Sequence, residues 1–331
     1  MVSAVIFVAT SCVSPLTGFA FWETNLAYEG ESIYNYLQVK NLSDRTILST
    51  NVLFGVQSVT MKDKGLTGMY YDTALAAPAL ADNANSALIL GMGTGTYARQ
   101  LKQYYPKMNI TGVEIDQKIT DLAGEYFDEP ADIPVTTYDG RAWLAASHDK
   151  YDVIMVDAYQ DITIPFQMSS TEFFTMVREH LNPGGVMVVN MNMISDGQGS
   201  INEALSDTIA SVFGNGNTLT ADVPNTTNRE LFAKKPGSGS EENSMQQASK
   251  ALNLRETTYE RTGSEDLEWY MEEVASRFRK VNEPDSASTI LTDDKAPVEV
   301  LGMHAIDQII ADEAGPYRQI LKDEEIGRAH V

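Results

Sequence analysis

The sequence predicts an α/β protein in which an open, doubly wound, mostly parallel sheet follows a small antiparallel β domain. From residue 87 to residue 213, five apolar strand-like runs alternate with helical runs. Near-continuous apolar strands, such as the VIMV within 151–158, are typical of a parallel sheet buried on both faces. Between residues 28 and 69, apolar and polar residues alternate and turn signals separate the runs, which is typical of antiparallel strands.

Composition places the chain among globular proteins and narrows its partners. Of 331 residues, 43% are apolar and 21% are charged, which excludes wholesale disorder and fits one large domain with attachments or two domains. The net charge of −22 repels nucleic acid and attracts small cations, although solubility or adaptation to salt explains such a charge equally well. Cys12 is the only cysteine, which excludes an internal disulfide framework.

The two ends are set apart from the globular part. Residues 2–21 carry no charge and are about long enough to span a bilayer, although Pro15 and Gly18 interrupt them. Residues 1–22 are therefore predicted as a membrane anchor or signal-type segment, with a truncated membrane helix or a buried strand and turn as alternatives. Without an anchor, the predicted location is the cytoplasm. Residues 325–331 (EIGRAHV) are predicted to be a tail foreign to the natural protein.

The elements follow in chain order. The β domain, residues 28–69, is predicted to contain strands at 34–39, 46–50 and 58–62. The central region, residues 70–236, begins with a helix over 70–80. Its strands are predicted at 87–91, 109–116, 133–139, 151–158 and 184–191, with a last strand at 228–235. Its helices are predicted at 97–105, from 117 through 127, after Gly140, at 169–181 and at 201–213. Residues 237–324 are predicted as a linker and a helical appendage, with a helix over 265–280.

A glycine-rich turn follows the first strand of the large sheet. In GMGTGT (91–96) the glycines let backbone approach a ligand closely, and the next helix offers free N–H groups at its N-terminus. The spacing Gly93-x-Gly95-x-x-Ala98 also matches a dinucleotide fingerprint. A tight strand-to-helix turn without a ligand is the alternative.

The next three strands each end in an acid. Glu114 ends the second strand, about 20 residues after Gly95, where a carboxylate can accept hydrogen bonds from ribose hydroxyls. Asp116 follows and can do the same or cap the next helix. Asp139 ends the third strand and Asp157 the fourth. A single such acid is usually a helix cap, but the ordered set predicts a ligand crevice at the carboxyl edge of the sheet.

The remaining histidines, acids and aromatic residues do not predict a metal or ligand site. His148, His180 and His304 lie far apart without metal-ligand spacing. The Asp293-Asp294 pair is better explained as a turn before Pro297 than as a metal site. Trp143, Phe173 and Phe174 lie at helical positions that face the sheet, so core packing is favoured over ligand stacking.

Together these segments resemble the spermidine synthase-like family of polyamine aminopropyltransferases. The resemblance covers residues 31–301. It rests on ESIYNYLQV (31–39), FGVQS (54–58), MYYD (69–72), GMGTG (91–95), VEID (113–116), YDGRAWL (138–144), VDAYQD (156–161) and LTDDKAPVE (291–299). It implies the Rossmann-like fold of class I S-adenosylmethionine-dependent methyltransferases, with a seven-stranded sheet. The last segment resembles family members that are fused or tethered to membrane segments and suggests a role in closing the cleft.

The resemblance also implies roles for individual residues. Asp157 matches the family's catalytic aspartate, which helps to deprotonate and orient the attacking amine. Tyr159 would add a hydroxyl or an aromatic wall, with loop packing as the alternative. Decarboxylated S-adenosylmethionine or S-adenosylmethionine would be the co-substrate, with no metal, a small cationic amine as partner and a homodimer as a candidate assembly. The residues implied for the nucleoside side are Gln57, Gly91, Gly93, Thr94, Gly95, Glu114, Ile115, Asp139 and Gly140.

Two positions depart from the family pattern. Thr94 stands where aminopropyltransferases carry an Asp that contacts the amino end of the donor. The family's Asp-Ser-Ser-Asp loop becomes Asp157-Ala158-Tyr159-Gln160, with Asp161 one position late. The resemblance makes aminopropyl transfer the leading hypothesis, and these departures make methyl transfer the rival, because Thr94 would tolerate a donor carboxylate. A non-catalytic nucleoside-binding homologue is a third hypothesis. An NAD-dependent dehydrogenase rests on the glycine turn alone.

Overall fold

Two β-sheets organise the computed structural model. The structure describes residues 20, 23–51, 56–159, 164–192, 197, 199–237, 244–286 and 288–307. Apart from Ala20, the predicted anchor at 2–21 lies outside these residues, and so does the predicted tail at 325–331. Within the described ranges, none of the helices combines the length and apolar character that a bilayer crossing requires.

The N-terminal sheet has four antiparallel strands in sequence order. The strands are β1 (Leu26–Glu31), β2 (Tyr36–Asn41), β3 (Arg45–Thr50) and β4 (Ser58–Met61). The three predicted strands are confirmed with shifted ends. β1 was not predicted as a separate strand; it pairs with β2 through a register irregularity between Leu26 and Tyr28, which interrupts the simple alternation.

The large sheet has eight strands in the order β12-β10-β11-β9-β8-β5-β6-β7. Strands β9, β8, β5, β6 and β7 are parallel, whereas β11, β10 and β12 continue the sheet in antiparallel fashion. Their bounds are β5 (Ser86–Leu90), β6 (Asn109–Glu114), β7 (Val135–Thr137), β8 (Tyr151–Val156), β9 (Leu181–Met191), β10 (Thr218–Asp222), β11 (Arg229–Lys234) and β12 (Phe278–Lys280).

The α/β architecture is confirmed, but the expected count of seven strands is wrong. β12 adds an eighth strand at the edge, so the strand at 228–235 is not the last one. β12 takes the final residues of the helix predicted over 265–280. Its three residues are too short to give a period-2 pattern, and it is specified by pairing with β10.

Helices flank the large sheet. They are α1 (Tyr70–Ala74), α2 (Ala76–Leu80), α3 (Thr96–Tyr104), α4 (Gln117–Tyr126), α5 (Gly140–Ala146), α6 (Thr171–His180), α7 (Ile201–Phe213), α8 (Ser244–Ala248), α9 (Ala251–Thr262) and α10 (Glu265–Arg277). Residues 298–307 are also helical. The helix predicted over 70–80 is instead two short helices. Pro78 has no N–H to donate to the carbonyl of Ala74, and the Tyr97 hydroxyl donates to that carbonyl instead, at 3.0 Å.

Apolar side chains fill both sides of the large sheet. One cluster includes Phe173 and Phe174, both fully buried, with Trp143 packed against it, which confirms the expected core role of these three residues. On the opposite face, α9 and α10 pack with α1 to α3. A third cluster joins the small sheet to α4, because Leu37, Val39 and Leu48 pack with Ile119, Leu122 and Phe127.

Candidate active site

A cleft of about 670 Å³ opens at the carboxyl edge of the large sheet, beside β4 and the helix that begins at Tyr70. Parallel strands carry whatever follows them to one edge, so β5, β6, β7 and β8 deliver the glycine turn and the acids to the same crevice. Nearly all of the predicted site residues line it: Gln57, Gly91, Gly93, Glu114, Ile115, Asp139, Gly140, Asp157 and Tyr159. Thr94 and Gly95 do not.

The glycine turn brings backbone against the loop that follows β8. Gly91 has a φ of +87°, and a Cβ there would lie 2.4 Å from the carbonyl oxygen of Asp157. Gly93 has a φ of +55°, and its N–H donates to Glu114 Oε2 at 2.8 Å. Both positions therefore require glycine, because a side chain would be strained and the first would also collide with backbone.

Thr94 and Gly95 are not among the residues that line the cleft. The side chain of Thr94 is fully buried, and its carbonyl accepts a hydrogen bond of 2.7 Å from Arg99 Nη1. Gly95, with a φ of +79°, serves as the N-cap of α3. Gly91 and Gly93 therefore line the cleft, whereas Thr94 and Gly95 do not. This arrangement gives no support to a direct donor contact by Thr94.

The acids that follow β6 and β7 are held by backbone N–H groups. Glu114 is buried, and its two oxygens accept from Gly93 N at 2.8 Å and Asp116 N at 3.0 Å. Burial raises its pKa, against the effect of these hydrogen bonds. Asp139 caps α5 by accepting from Ala142 N at 2.7 Å. Asp116 caps α4 and also accepts from Ser32 Oγ at 2.5 Å, so the capping alternative holds for Asp116.

Asp157, after β8, is held by side chains instead. Its Oδ2 accepts from the Tyr70 hydroxyl at 2.7 Å, and its Oδ1 accepts from Asn190 Nδ2 at 2.9 Å. The pKa of this carboxyl is raised to about 7, mainly by burial and to a smaller extent by the nearby charge of Glu114. The hydrogen bonds from Tyr70 and Asn190 act in the opposite direction. A carboxylate that titrates near neutrality and lines a cleft is suited to exchange protons with a ligand.

Tyr159 lines the cleft with its ring, while its hydroxyl is engaged elsewhere. The hydroxyl donates to the backbone carbonyl of Asn190 and accepts from Asn192 N at 3.1 Å. These bonds tie the loop after β8 to the end of β9. They favour the aromatic-wall and loop-packing alternatives over a free hydroxyl. Gln160 and Asp161 lie outside the described residues. Asp161 is the acid that stands one position later than in the family loop.

Three residues that complete the site had been assigned no role. Tyr70 belongs to the MYYD segment, but its contact with Asp157 depends on packing across the fold. Asn190 could have been found, because it is a polar residue in the otherwise apolar strand VMVVN (186–190). Asn228 Nδ2 donates to Asn190 Oδ1 at 2.9 Å and so fixes the orientation of that amide.

The charged residues that the structure describes in the cleft lining are all acidic. Glu114, Asp139 and Asp157 are its acids, and the described residues that line the cleft include no Lys or Arg. A cationic ligand would therefore meet attraction and no competing cation inside a partly desolvated site. Among the described residues, no group of three or more His, Cys, Asp or Glu side chains is arranged to hold a metal ion.

The segment at 291–299 closes against the helices beside the cleft. Asp293 forms a bidentate ion pair with Arg141 of α5, at 2.7 and 2.5 Å, and accepts from Ser170 Oγ at 2.5 Å. Arg141 also donates to the carbonyl of Gln167, which lines the cleft. Asp293 thus acts as a clamp on the cleft wall. That contact is compatible with the expected closing role and leaves no basis for a metal pair.

Comparison with known proteins identifies a family for this chain. Residues 69–235 match the model of the spermine/spermidine synthase domain. A probable polyamine aminopropyl transferase of Bifidobacterium longum is 99% identical, over 99% of this chain and 73% of its own length. A polyamine aminopropyltransferase of Vibrio vulnificus is 28% identical, over 60% of this chain and 69% of its own length.

A similar fold is found in a solved structure. The crystal structure of a probable spermidine synthase from Corynebacterium glutamicum superposes with a TM-score of 0.55 at 21% identity, and the match covers 81% of this chain and 99% of the other. With a domain match over half of its residues and a near-identical relative, the chain belongs to the spermine/spermidine synthase family.

Proposed function

We propose that this protein transfers an aminopropyl group from decarboxylated S-adenosylmethionine to a small polyamine-type amine. The observation that carries the proposal is Asp157, a half-buried carboxylate with a pKa near 7 that follows β8 and lies beside the glycine turn. Amine alkylation needs such a group, because a protonated amine has no lone pair and must lose a proton before it attacks. Family membership supports the same chemistry.

Each residue has a defined task in this reaction. Asp157, oriented by Tyr70 and Asn190, accepts a proton from the acceptor ammonium and holds the amine in place. The freed lone pair forms a C–N bond with the propyl carbon attached to sulfur. The electrons of the breaking C–S bond return to sulfur, so methylthioadenosine leaves as a neutral product. The protein otherwise contributes mainly alignment of the attacking and leaving atoms.

The co-substrate would occupy the side of the cleft that Gly91, Gly93, Glu114, Asp139 and Gly140 form. Glycine at position 91 lets the turn pack directly against the backbone of Asp157, which places this side of the cleft next to the catalytic carboxylate. A volume of about 670 Å³ also lies within the range typical of small-molecule sites, roughly 300–1,000 Å³. Gln57 and Ile115 line the same cleft and are proposed to border the sulfonium and the adenine, respectively.

Methyl transfer from S-adenosylmethionine is the second candidate. The side chain of Thr94 is fully buried and is not among the residues that line the cleft, so it gives no argument for a donor carboxylate. The missing family acid at position 94 loses its weight for the same reason, and methyl transfer is kept as the alternative that the product assay below tests. An NAD-dependent dehydrogenase is disfavoured, because it leaves the placement of Asp157 unexplained.

A product assay by mass spectrometry tests the proposal. The full chain is incubated with putrescine and either decarboxylated S-adenosylmethionine or S-adenosylmethionine. The expected products are spermidine and methylthioadenosine from the decarboxylated donor alone. A methylated amine, or turnover with S-adenosylmethionine only, would favour the rival. A membrane tether at residues 2–21 and a homodimer stay proposals, to be tested by membrane fractionation and light scattering.

A further inference from the structure

Glu230 lies in one row with Asp157 and Asn190 across three adjacent strands. It is the register partner of Asn190 in the antiparallel pair of β11 and β9. In the parallel pair of β8 and β9, Val156 is opposite Val189, which puts Asp157 beside Asn190. Side chains in register point to the same face of a sheet. With about 4.8 Å between strands, the two acids are two strand spacings apart with the amide between them.

The carboxyl of Glu230 has no hydrogen-bond partner in the part of the chain that the structure describes. Its side chain is fully buried, and neither oxygen has a hydrogen-bond partner among the described residues. Burial and the nearby charge of Asp157 hold its pKa well above the usual range. A buried acid without a partner is costly to a fold, and such groups are commonly completed by a ligand or ion.

Among the residues that the structure describes, the amine side of the cleft presents no second acid on its surface. Of the three acids in the lining, Glu114 and Asp139 are held by backbone on the nucleoside side, and Asp157 is the only one near the end of β9. Around that end the lining is uncharged: Asn190, Asn192, Asn225, Thr226, Thr227 and Asn228. A diamine placed with one nitrogen at Asp157 would put its second ammonium among these amides, over Glu230.

Building on the aminopropyl transfer proposed above, we propose that Glu230 is the specificity residue for a diamine acceptor. It supplies the negative charge opposite the second ammonium, beneath the floor that Asn190 and Asn228 form. No direct contact is required, because a charge in a desolvated site acts across one strand spacing. Arrival of the ammonium favours the ionised form of this buried acid and gives it the partner that it lacks among the described residues.

The test compares two acceptors that differ only in the second amine. Putrescine and n-butylamine are each assayed with decarboxylated S-adenosylmethionine, for wild type and Glu230→Gln. We expect Glu230→Gln to lower the ratio of kcat/KM for putrescine to that for butylamine by roughly tenfold to a hundredfold, mainly through the KM of putrescine. Glu230→Asp, which retains the charge, should keep part of the preference.

Asp207→Asn is the matched control. Asp207 is also a buried acid whose pKa is raised by burial, but it lies on α7, outside the row of Asp157, Asn190 and Glu230, so the ratio should not change. An unchanged ratio in Glu230→Gln, or an equal loss for both amines, would overturn the assignment. A wild type that binds methylthioadenosine but transfers an aminopropyl group to neither amine would instead reject the reaction itself, and Glu230 with it.

Discussion

The two halves of the cleft hold their acids in opposite ways. On the proposed nucleoside side, Glu114 and Asp139 are bound by backbone N–H groups that local chain geometry supplies. On the proposed amine side, Asp157 is held by two side chains and Glu230 by none among the described residues. A backbone-bound acid is fixed as an acceptor and shapes a site, whereas a side-chain-bound or unpartnered acid remains free to change its charge. The comparison therefore separates recognition of the co-substrate from proton chemistry.

Replacing Asp157 should produce the largest effect and should break only the amine half. Asp157→Asn removes the proton acceptor, so we expect kcat to fall by about 10²- to 10⁴-fold. Methylthioadenosine affinity, measured by calorimetry, should stay within about twofold of wild type. A comparable loss of nucleoside affinity would show that the two halves are not separable.

Replacing Glu114 should do the reverse. Glu114→Ala removes an acceptor for the ribose and the partner of Gly93 N–H, so methylthioadenosine binding should weaken by roughly 1–3 kcal/mol. The pH at which activity reaches half of its maximum should not move towards alkaline values, because Glu114 raises the pKa of Asp157 rather than lowering it. Equal affinity in wild type and variant would contradict the ribose assignment.

Replacing Tyr70 should change the pH dependence of activity. The pKa of Asp157 lies near 7 and the ionised form is the active one, so kcat/KM should fall as the pH drops below about 7. The Tyr70 hydrogen bond favours the ionised form and lowers that pKa. Tyr70→Phe should therefore move the acidic limb to higher pH and reduce activity at pH 7 by roughly tenfold. A limb that moves to lower pH would reject Asp157 as the titrating group.

The smallest effect is expected at the clamp of Arg141 and Asp293. Arg141→Ala breaks a partly exposed ion pair, which contributes less than about 1 kcal/mol to the free energy of unfolding. Thermal melting should change slightly, and methylthioadenosine affinity should change even less. A loss of affinity as large as that of Glu114→Ala would assign the clamp to the binding site.

The nucleoside half could be predicted because its signals are local. Strand ends of a parallel sheet meet at one edge whatever the rest of the fold does, so the glycine turn, Glu114 and Asp139 were identifiable in advance, as was the position of Asp157 beside them. Thr94 shows the limit of that reasoning. Motif spacing places a residue in the turn, but it does not tell which side of the turn its side chain occupies.

The amine half was less accessible because it depends on pairing between distant segments. Tyr70 meets Asp157 through packing of α1, and Glu230 joins the row only through the register of β11 against β9. The strands β10 and β12 were missed for a related reason. Both are short and lie at the antiparallel edge, where pairing rather than hydrophobic pattern specifies a strand.

The apolar cluster shared by β2, β3 and α4 has a consequence for stability. The small sheet buries Leu37, Val39 and Leu48 against Ile119, Leu122 and Phe127, so half of that interior belongs to each layer. Neither layer retains a complete interior when the other opens, and Val59 of β4 likewise packs into an apolar cluster of the large sheet. Both layers should therefore melt in one calorimetric transition, and amides of β2 and β3 should exchange with deuterium no faster than those of α4.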